Sequence, residues 1–192
     1  MLKEKNNTIK EQLKKVEIGT VKRQDTSENQ AKIVFLGIGS NLGIRKINIE
    51  KAKSLLIEKN LEILSVSSYY ETPSWPDSTK PKFLNIIIKL KCYYNPKELL
   101  KICKSIETQL GRKKAKKNAP RTCDLDIIDF NKLVSKNNTK INLPHKMMHK
   151  RNFVLFPLFE IQKNWAHPDK KIDVKTLISL LPDRDIRSIK KI

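Results

Sequence analysis

Cysteine is scarce in this 192-residue chain and poorly spaced for chemistry. Cys92, Cys103 and Cys123 are an odd number with no Cys-x-x-Cys spacing. That argues against both a disulfide framework and a cysteine zinc site. Long apolar runs are also missing, since none approaches the roughly 18 residues that span a bilayer. Met1 to Gln30 lacks the apolar stretch of a secretory signal, and its mixture of acids and bases does not suit a transit peptide. Aromatic residues make up 6%, few for a surface that stacks bases, and no RNP-like motif is present. Acids number 20 against 40 bases. The expectation is a reduced, cytoplasmic protein with no membrane segment and no specific nucleic-acid partner.

The net charge of +20 favours polyanions such as nucleotide phosphates. Composition offers a second source. Lysine outnumbers arginine 33 to 7 beside 23 isoleucines and 15 asparagines, a set that AT-rich coding favours together. Local clusters therefore carry more information than the total. Hydrophobic residues are 39%, enough for a sizeable core in one domain.

Residues 1–30 hold seven bases, five acids and no aromatic residue, and read as a mobile extension, with a short helix conceivable around Thr8–Val16. Residues 31–192 read as one domain. Ile33–Ile38 is a short buried strand, and Gly39-Ser40-Asn41-Leu42-Gly43 forces a turn. Residues 45–59 form a helix with Ile49, Ala52, Leu55 and Leu56 on one face. Ile63–Tyr70 is a second strand, Glu71–Lys82 a loop, and Phe83–Cys92 a long alternating strand. Pro96 opens a helix to Leu110, stopped by Gly111. Arg112–Thr122 is a basic loop and Cys123–Phe130 a strand. Val134 and Ile141–Leu143 suggest short strands around a turn at Asn137-Asn138. Phe153–Ile161 is a helix, and Asp173 caps another that Pro182 stops. The order β-α-β-β-α-β with a helical tail predicts an α+β, ferredoxin-like fold. Its mainly antiparallel sheet would carry two long helices on one face, leaving the other face for a site.

The strongest local feature is Asp124-Leu125-Asp126. Residues two apart on a strand share a face, and two such carboxylates suit Mg²⁺ ions bound to substrate phosphates. Two solvated surface acids would look the same. The segment Gly111–Thr122 decides between them, holding six bases and no acid. Metal-binding carboxylates flanked by arginine are what phosphoryl transfer needs. Arg112 and Arg121 stand out because a guanidinium grips phosphate through two parallel hydrogen bonds. On the long strand, Phe83, Asn85 and Ile87 share one face, and an aromatic beside an amide can stack on a flat heterocycle and bond its edge. Phe153 offers a second wall, although core packing is the simpler role for either phenylalanine. His145, with Arg151, is coherent beside a triphosphate. The four-residue spacing of His145 and His149 has no third ligand for zinc. His167, in a Pro-containing turn, reads as structural. Gly37-x-Gly39 is out of register for a dinucleotide fingerprint, and the Walker A lysine is absent.

Taken together, the chain from about Ile33 to Pro182 resembles the 6-hydroxymethyl-7,8-dihydropterin pyrophosphokinase family. The resemblance rests on Gly39-Ser40-Asn41-Leu42, Val66–Pro73, Phe83-Leu84-Asn85, Ile106-Glu107 with Gly111-Arg112, Pro120–Ile127, Leu143-Pro144-His145 and Arg151–Leu158. It implies a ferredoxin-like fold, a monomer, and transfer of the diphosphoryl group of ATP to the pterin hydroxymethyl oxygen in folate biosynthesis, releasing AMP. It further implies that Asp124 and Asp126 hold two Mg²⁺, and that Arg112 and Arg121, from a mobile loop, act on the reacting phosphates. His145 and Arg151 would contact ATP phosphate or ribose, with Glu107, Ile127 and backbone near Ile141 by the adenine. Phe83 and Phe153 would sandwich the pterin, whose edges Asn85, Thr72 and groups near Ser74 and Trp75 would read. The chain departs from better-known members in a loop about one residue shorter, Asn118 in place of tryptophan, Lys146 in place of an aromatic, and Lys104 in place of glutamine.

Two rival readings are a nucleotidyltransferase, whose Gly-Ser turn and D-x-D lie roughly a dozen residues apart rather than 84, and a basic RNA-binding protein. Released AMP supports diphosphoryl transfer, and released pyrophosphate the first rival.

Overall fold

The computed structural model describes residues 30–74, 77–112, 119–135 and 141–192. The elements run β1 (Lys32–Ser40), α1 (Arg45–Glu58), β2 (Glu62–Val66), β3 (Tyr70–Thr72), β4 (Phe83–Cys92), α2 (Pro96–Gln109), β5 (Asp124–Phe130), α3 (Asn152–Ile161), α4 (Val174–Ser179), α5 (Asp183–Ser188) and β6 (Lys190–Lys191). The expected extension over 1–30 falls, except for Gln30, outside the described residues, as do the helix at Thr8–Val16 and the turn at Asn137-Asn138.

The strands pair antiparallel in the order β5-β1-β4-β3-β6, with β2 also on β4. This is the strand order of a ferredoxin-like α+β fold. Alternation decides which side chains go where. Leu84, Ile86, Ile88 and Leu90 of β4 join Val34, Leu36 and Ile38 of β1 in one core, against Ile49, Ala52 and Leu56 of α1 and Leu99, Cys103 and Ile106 of α2. Each such fully buried aliphatic side chain contributes about 1.5–3 kcal/mol relative to exposure. Burial pushes the thiols of Cys103 and Cys123 up to about 12, so both are inert, protonated core residues.

The second face is not left bare, as the two-helix expectation had it. Phe35, Ile87 and Ile128 on that face meet Val154, Leu155 and Leu158 of α3, together with Trp165, Val174 and Leu177. Asp129 sits here, 1% exposed, accepting hydrogen bonds from Trp165 Nε1 (2.8 Å) and the Lys132 N–H (2.9 Å). From β1 this second core takes Phe35 and, partly buried, Ile33, and no residue from the Gly39 end.

Local chemistry explains the element boundaries nearest the site. The Asn95 side chain accepts the Lys97 and Glu98 N–H groups, while Glu98 accepts the Asn95 N–H; this capping box, with Pro96, starts α2. At its other end Gly111 takes φ +84°. Its N–H donates to Thr108 O, and that of Arg112 donates to Glu107 O, the paired bonds of a Schellman motif. Arg112 is thereby turned back along its own helix.

The expected strand Ile63–Tyr70 is two strands. Ser67 exchanges hydrogen bonds with Ile87, its N–H to Ile87 O and its Oγ from Ile87 N–H, each 2.9 Å. Ser68 turns to Glu160, donating through its N–H and hydroxyl. The pairing therefore breaks between β2 and β3. Val134 and Ile141–Leu143 form no strand among the described residues; the Ser135 N–H donates to Leu143 O, and the Leu143 N–H to Ser135 Oγ, each at 2.8 Å.

Candidate active site

Register places the two acids. Gly39 of β1 stands opposite Asp124 of β5, and Gly37 opposite Asp126. Across β1's other edge, Gly39 stands opposite Asn85 of β4. Asp124, Asp126 and Asn85 thus share one face with two glycines between them. The glycines leave a floor. A Cβ on Gly39 would lie 2.9 Å from Asn85 Oδ1 and 3.4 Å from the Phe83 ring, and one on Gly37 3.3 Å from Ile128 Cδ1.

Arginine surrounds the first acid. Arg112 Nη1 lies 2.7 Å from Asp124 Oδ1, and Arg121 Nη1 lies 3.1 Å from Asp124 Oδ2. Arg112 Nη1 also lies 2.6 Å from Glu107 Oε2. Burial disfavours the Arg112 charge, but Asp124 and Glu107 outweigh it and hold its pKa above the ordinary value. Glu107 is 1% exposed and works as a brace. Its Oε1 accepts the Leu125 N–H at 2.9 Å, between the two acids, and its carboxylate also takes Lys104 Nζ.

The second acid has a different setting. Asp126 faces Arg151 at 3.6 Å. Burial and the Asp124 charge push its carboxyl up, against His145, Arg151 and Lys104. Burial pulls His145 down, with Asp126 opposing it and Arg151 adding to it. The Arg151 guanidinium lies 5.5 Å above the Phe153 ring. His145, Arg151 and Phe153 are thereby gathered beside Asp126. His149 points elsewhere, with its ring 5.9 Å from that of His167.

Asn85 and Thr72 are both buried, and Asn85 Nδ2 donates to Thr72 Oγ1 at 3.2 Å. Thr72 pairs with Phe83 in the β3–β4 ladder. Ser74 is buried next to them, its hydroxyl donating to Pro81 O at 2.6 Å. Trp75 lies outside the described residues, as do Lys113 to Asn118 of the basic loop. Ile127 faces away from the acids and packs into the first core with Leu143 and, at its margin, Ile141. Ile127, Glu107 and Ile141 therefore sit together on the helix side of edge strand β5, not over the carboxylates.

These donors fit a divalent cation. Both acids offer hard oxygens on one face, those of Asp124 being held in this structure by Arg112 and Arg121, which a bound cation would displace. Among the described residues no cluster of three or more His, Cys, Asp and Glu gathers around a common point, so substrate oxygens and water would complete the shell, as Mg²⁺ favours. Sequence reasoning gave no role to Asn41 or to the glycine floor. Gly39 and Asn41 were visible only as parts of the Gly-Ser-Asn-Leu motif, because their contacts come from strands and loops distant in sequence.

Residues 35–163 match the family described as 7,8-dihydro-6-hydroxymethylpterin-pyrophosphokinase. A 2-amino-4-hydroxy-6-hydroxymethyldihydropteridine pyrophosphokinase of Aquifex aeolicus is 39% identical over 135 residues, 70% of this chain and 83% of that protein. The enzyme of the same name from Bacillus subtilis is 38% identical, over 67% of this chain and 77% of its own length. A folic acid synthesis protein of Dictyostelium discoideum is 36% identical over 86% of this chain, which spans 25% of that longer protein. In fold, the chain resembles wild-type Plasmodium falciparum HPPK-DHPS with a TM-score of 0.59 at 15% identity, covering 78% of this chain and 44% of that one.

Proposed function

Because the chain belongs to the 7,8-dihydro-6-hydroxymethylpterin-pyrophosphokinase family, we propose a division of labour among its residues for the family's reaction. The enzyme transfers the diphosphoryl group of ATP to hydroxymethyldihydropterin in folate biosynthesis, which sets aside the nucleotidyltransferase and RNA-binding readings. One observation carries the site assignment: Asp124 and Asp126 share a face with the Gly39 floor and Asn85.

The pterin occupies the floor between Phe83 and Phe153, its edge read by Asn85 and Thr72, with Ser74 bordering it. ATP crosses edge strand β5, its phosphates over the acid face and its adenine toward Glu107, Ile127 and Ile141. The hydroxymethyl oxygen forms a bond to the β-phosphorus, the bond from that phosphorus to the α,β-bridging oxygen breaks, and AMP leaves with the bridging oxygen. The hydroxyl proton passes to solvent. Arg112 and Arg121 exchange Asp124 for phosphate oxygens, while His145 and Arg151 orient the nucleotide. Asp124 and Asp126 would hold two Mg²⁺ ions, whose charge would neutralise the phosphate chain. Positioning and charge neutralisation, rather than a general base, account for the rate.

We further propose that residues 31–192 act as one pyrophosphokinase domain, as a monomer and in the cytoplasm. Incubation with ATP, Mg²⁺ and 6-hydroxymethyl-7,8-dihydropterin tests the reaction. AMP should appear only when the pterin is present; pterin-independent AMP, or pyrophosphate as the product, contradicts it.

A further inference from the structure

Asn41 is 3% exposed and follows directly on the last residue of β1. Its hydrogen-bonding groups are divided between two segments far apart in sequence. Toward one side, Oδ1 accepts the Arg121 N–H at 2.8 Å, and the Asn41 N–H donates to Arg121 O at 3.2 Å. Toward the other, Nδ2 donates to Ser74 Oγ at 3.3 Å and Pro81 O at 3.2 Å. Ser74 closes the triangle through its bond to Pro81 O.

The two segments serve different halves of the site. Arg121 reaches Asp124, where the diphosphoryl chain is transferred. The Ser74–Pro81 side leads directly into Phe83 and Asn85, which line the floor. No acid, base or charge is involved at Asn41, and its side chain is spent on backbone and hydroxyl partners. An amide is needed because the position must both accept and donate. Aspartate can only accept, and lysine can only donate.

We propose that Asn41 is a positioning residue that sets the Arg121 segment and the pterin-side segment in register with each other. It acts through Arg121 on one side and through Ser74 and Pro81 on the other. This rests on the assignment of the two halves given above.

The two directions separate by substitution. Asn41→Asp keeps an acceptor for the Arg121 N–H and loses donation to Ser74 and Pro81, whereas Asn41→Ala loses both. The measurements are kcat and KM for each substrate, pterin affinity by fluorescence with a non-hydrolysable ATP analogue present, and amide hydrogen exchange. For Asn41→Asp, pterin affinity should weaken about tenfold, the scale of one or two lost buried hydrogen bonds, with KM for ATP within about twofold. Exchange should speed up over 77–82 while the Arg121 amide stays protected. Asn41→Ala should show the same pterin defect, a further fall in kcat of about tenfold, and an unprotected Arg121 amide. A Ser74→Ala background should absorb most of the pterin defect of Asn41→Ala, as two members of one network do. Equal loss in both substrates, or additive effects with Ser74→Ala, overturns the proposal. If either variant is too unstable to assay, the other with the exchange pattern decides. A wild-type protein that gives no pterin-dependent AMP contradicts the functional assignment, while the exchange pattern still reports on the brace.

Discussion

Asn85 leans over Gly39, its Oδ1 standing 2.9 Å from the place a Cβ at 39 would take. The same amide donates to Thr72, so it is held from one side and has room only because residue 39 has no side chain.

Gly39→Ala should therefore act on the pterin side. The added methyl meets Asn85 Oδ1 and the Phe83 ring, so the amide must turn and strain its bond to Thr72. KM for the pterin should rise about tenfold or more, with KM for ATP within about twofold, a selective loss of binding. Steady-state kinetics with each substrate varied checks this. An unchanged pterin KM would mean that the floor does not receive the ring.

Arg121→Ala should slow chemistry more than it weakens nucleotide binding. Arg121 shares Asp124 with Arg112 in this structure, so ground-state charge balance survives its loss. A guanidinium aimed at developing phosphate charge is worth about 10²–10³ in rate. Single-turnover kinetics should show that fall in the transfer step, with nucleotide affinity changed less than about tenfold. A loss accounted for wholly by affinity contradicts the role.

The fold should weaken in mild acid through His167. The ring is 4% exposed and its Nδ1 accepts the Asp169 and Lys170 N–H groups, which requires the neutral form. Burial, with His149 and Lys170 nearby, pushes it down to about 4. The unfolded histidine titrates near 6.5, so on acidification the unfolded chain takes up the proton first. Stability is then complete above about pH 6.5, declines as the pH falls toward about 4, and loses about 3 kcal/mol in that window. Glu71 and Glu160, held below the ordinary carboxylate range by hydrogen bonds and salt bridges, add their losses only at lower pH. Urea unfolding at pH 7.5, 6 and 5 should show the decline in wild type and a shallower one in His167→Gln. Parallel curves would contradict the assignment.

Much of the fold was legible because local and global signals agree. The alternation of Phe83–Cys92 gives β4 with the same bounds in the structure, and Pro96 announces the start of α2. What failed depends on distant partners. Nothing in Ile63–Tyr70 marks a break; it appears because Ser67 and Ser68 turn to Ile87 and Glu160. Lys190–Lys191 has no strand pattern and exists as β6 only by pairing with Tyr70 and Glu71. The covering of the second face comes from the same helical tail that the sequence showed, but where the tail packs is decided by Phe35, Ile87 and Ile128. At the site, strand parity already put Asp124 and Asp126 together. The same parity sends Ile127 to the opposite side, a consequence the family resemblance did not make visible. The brace of Glu107 on the Leu125 N–H joins residues 18 apart in sequence, and no local pattern reveals it.

The most direct test of the carboxylate pair is pterin-dependent AMP release by wild type, Asp124→Asn and Asp126→Asn at saturating ATP and Mg²⁺, with folding checked by circular dichroism. The amides keep shape and remove charge. Wild type should release one AMP per pterin diphosphate formed, and both variants should fall by about 10³ or more, in line with the loss of metal-borne charge stabilisation. Near-normal AMP release from either folded variant contradicts the account.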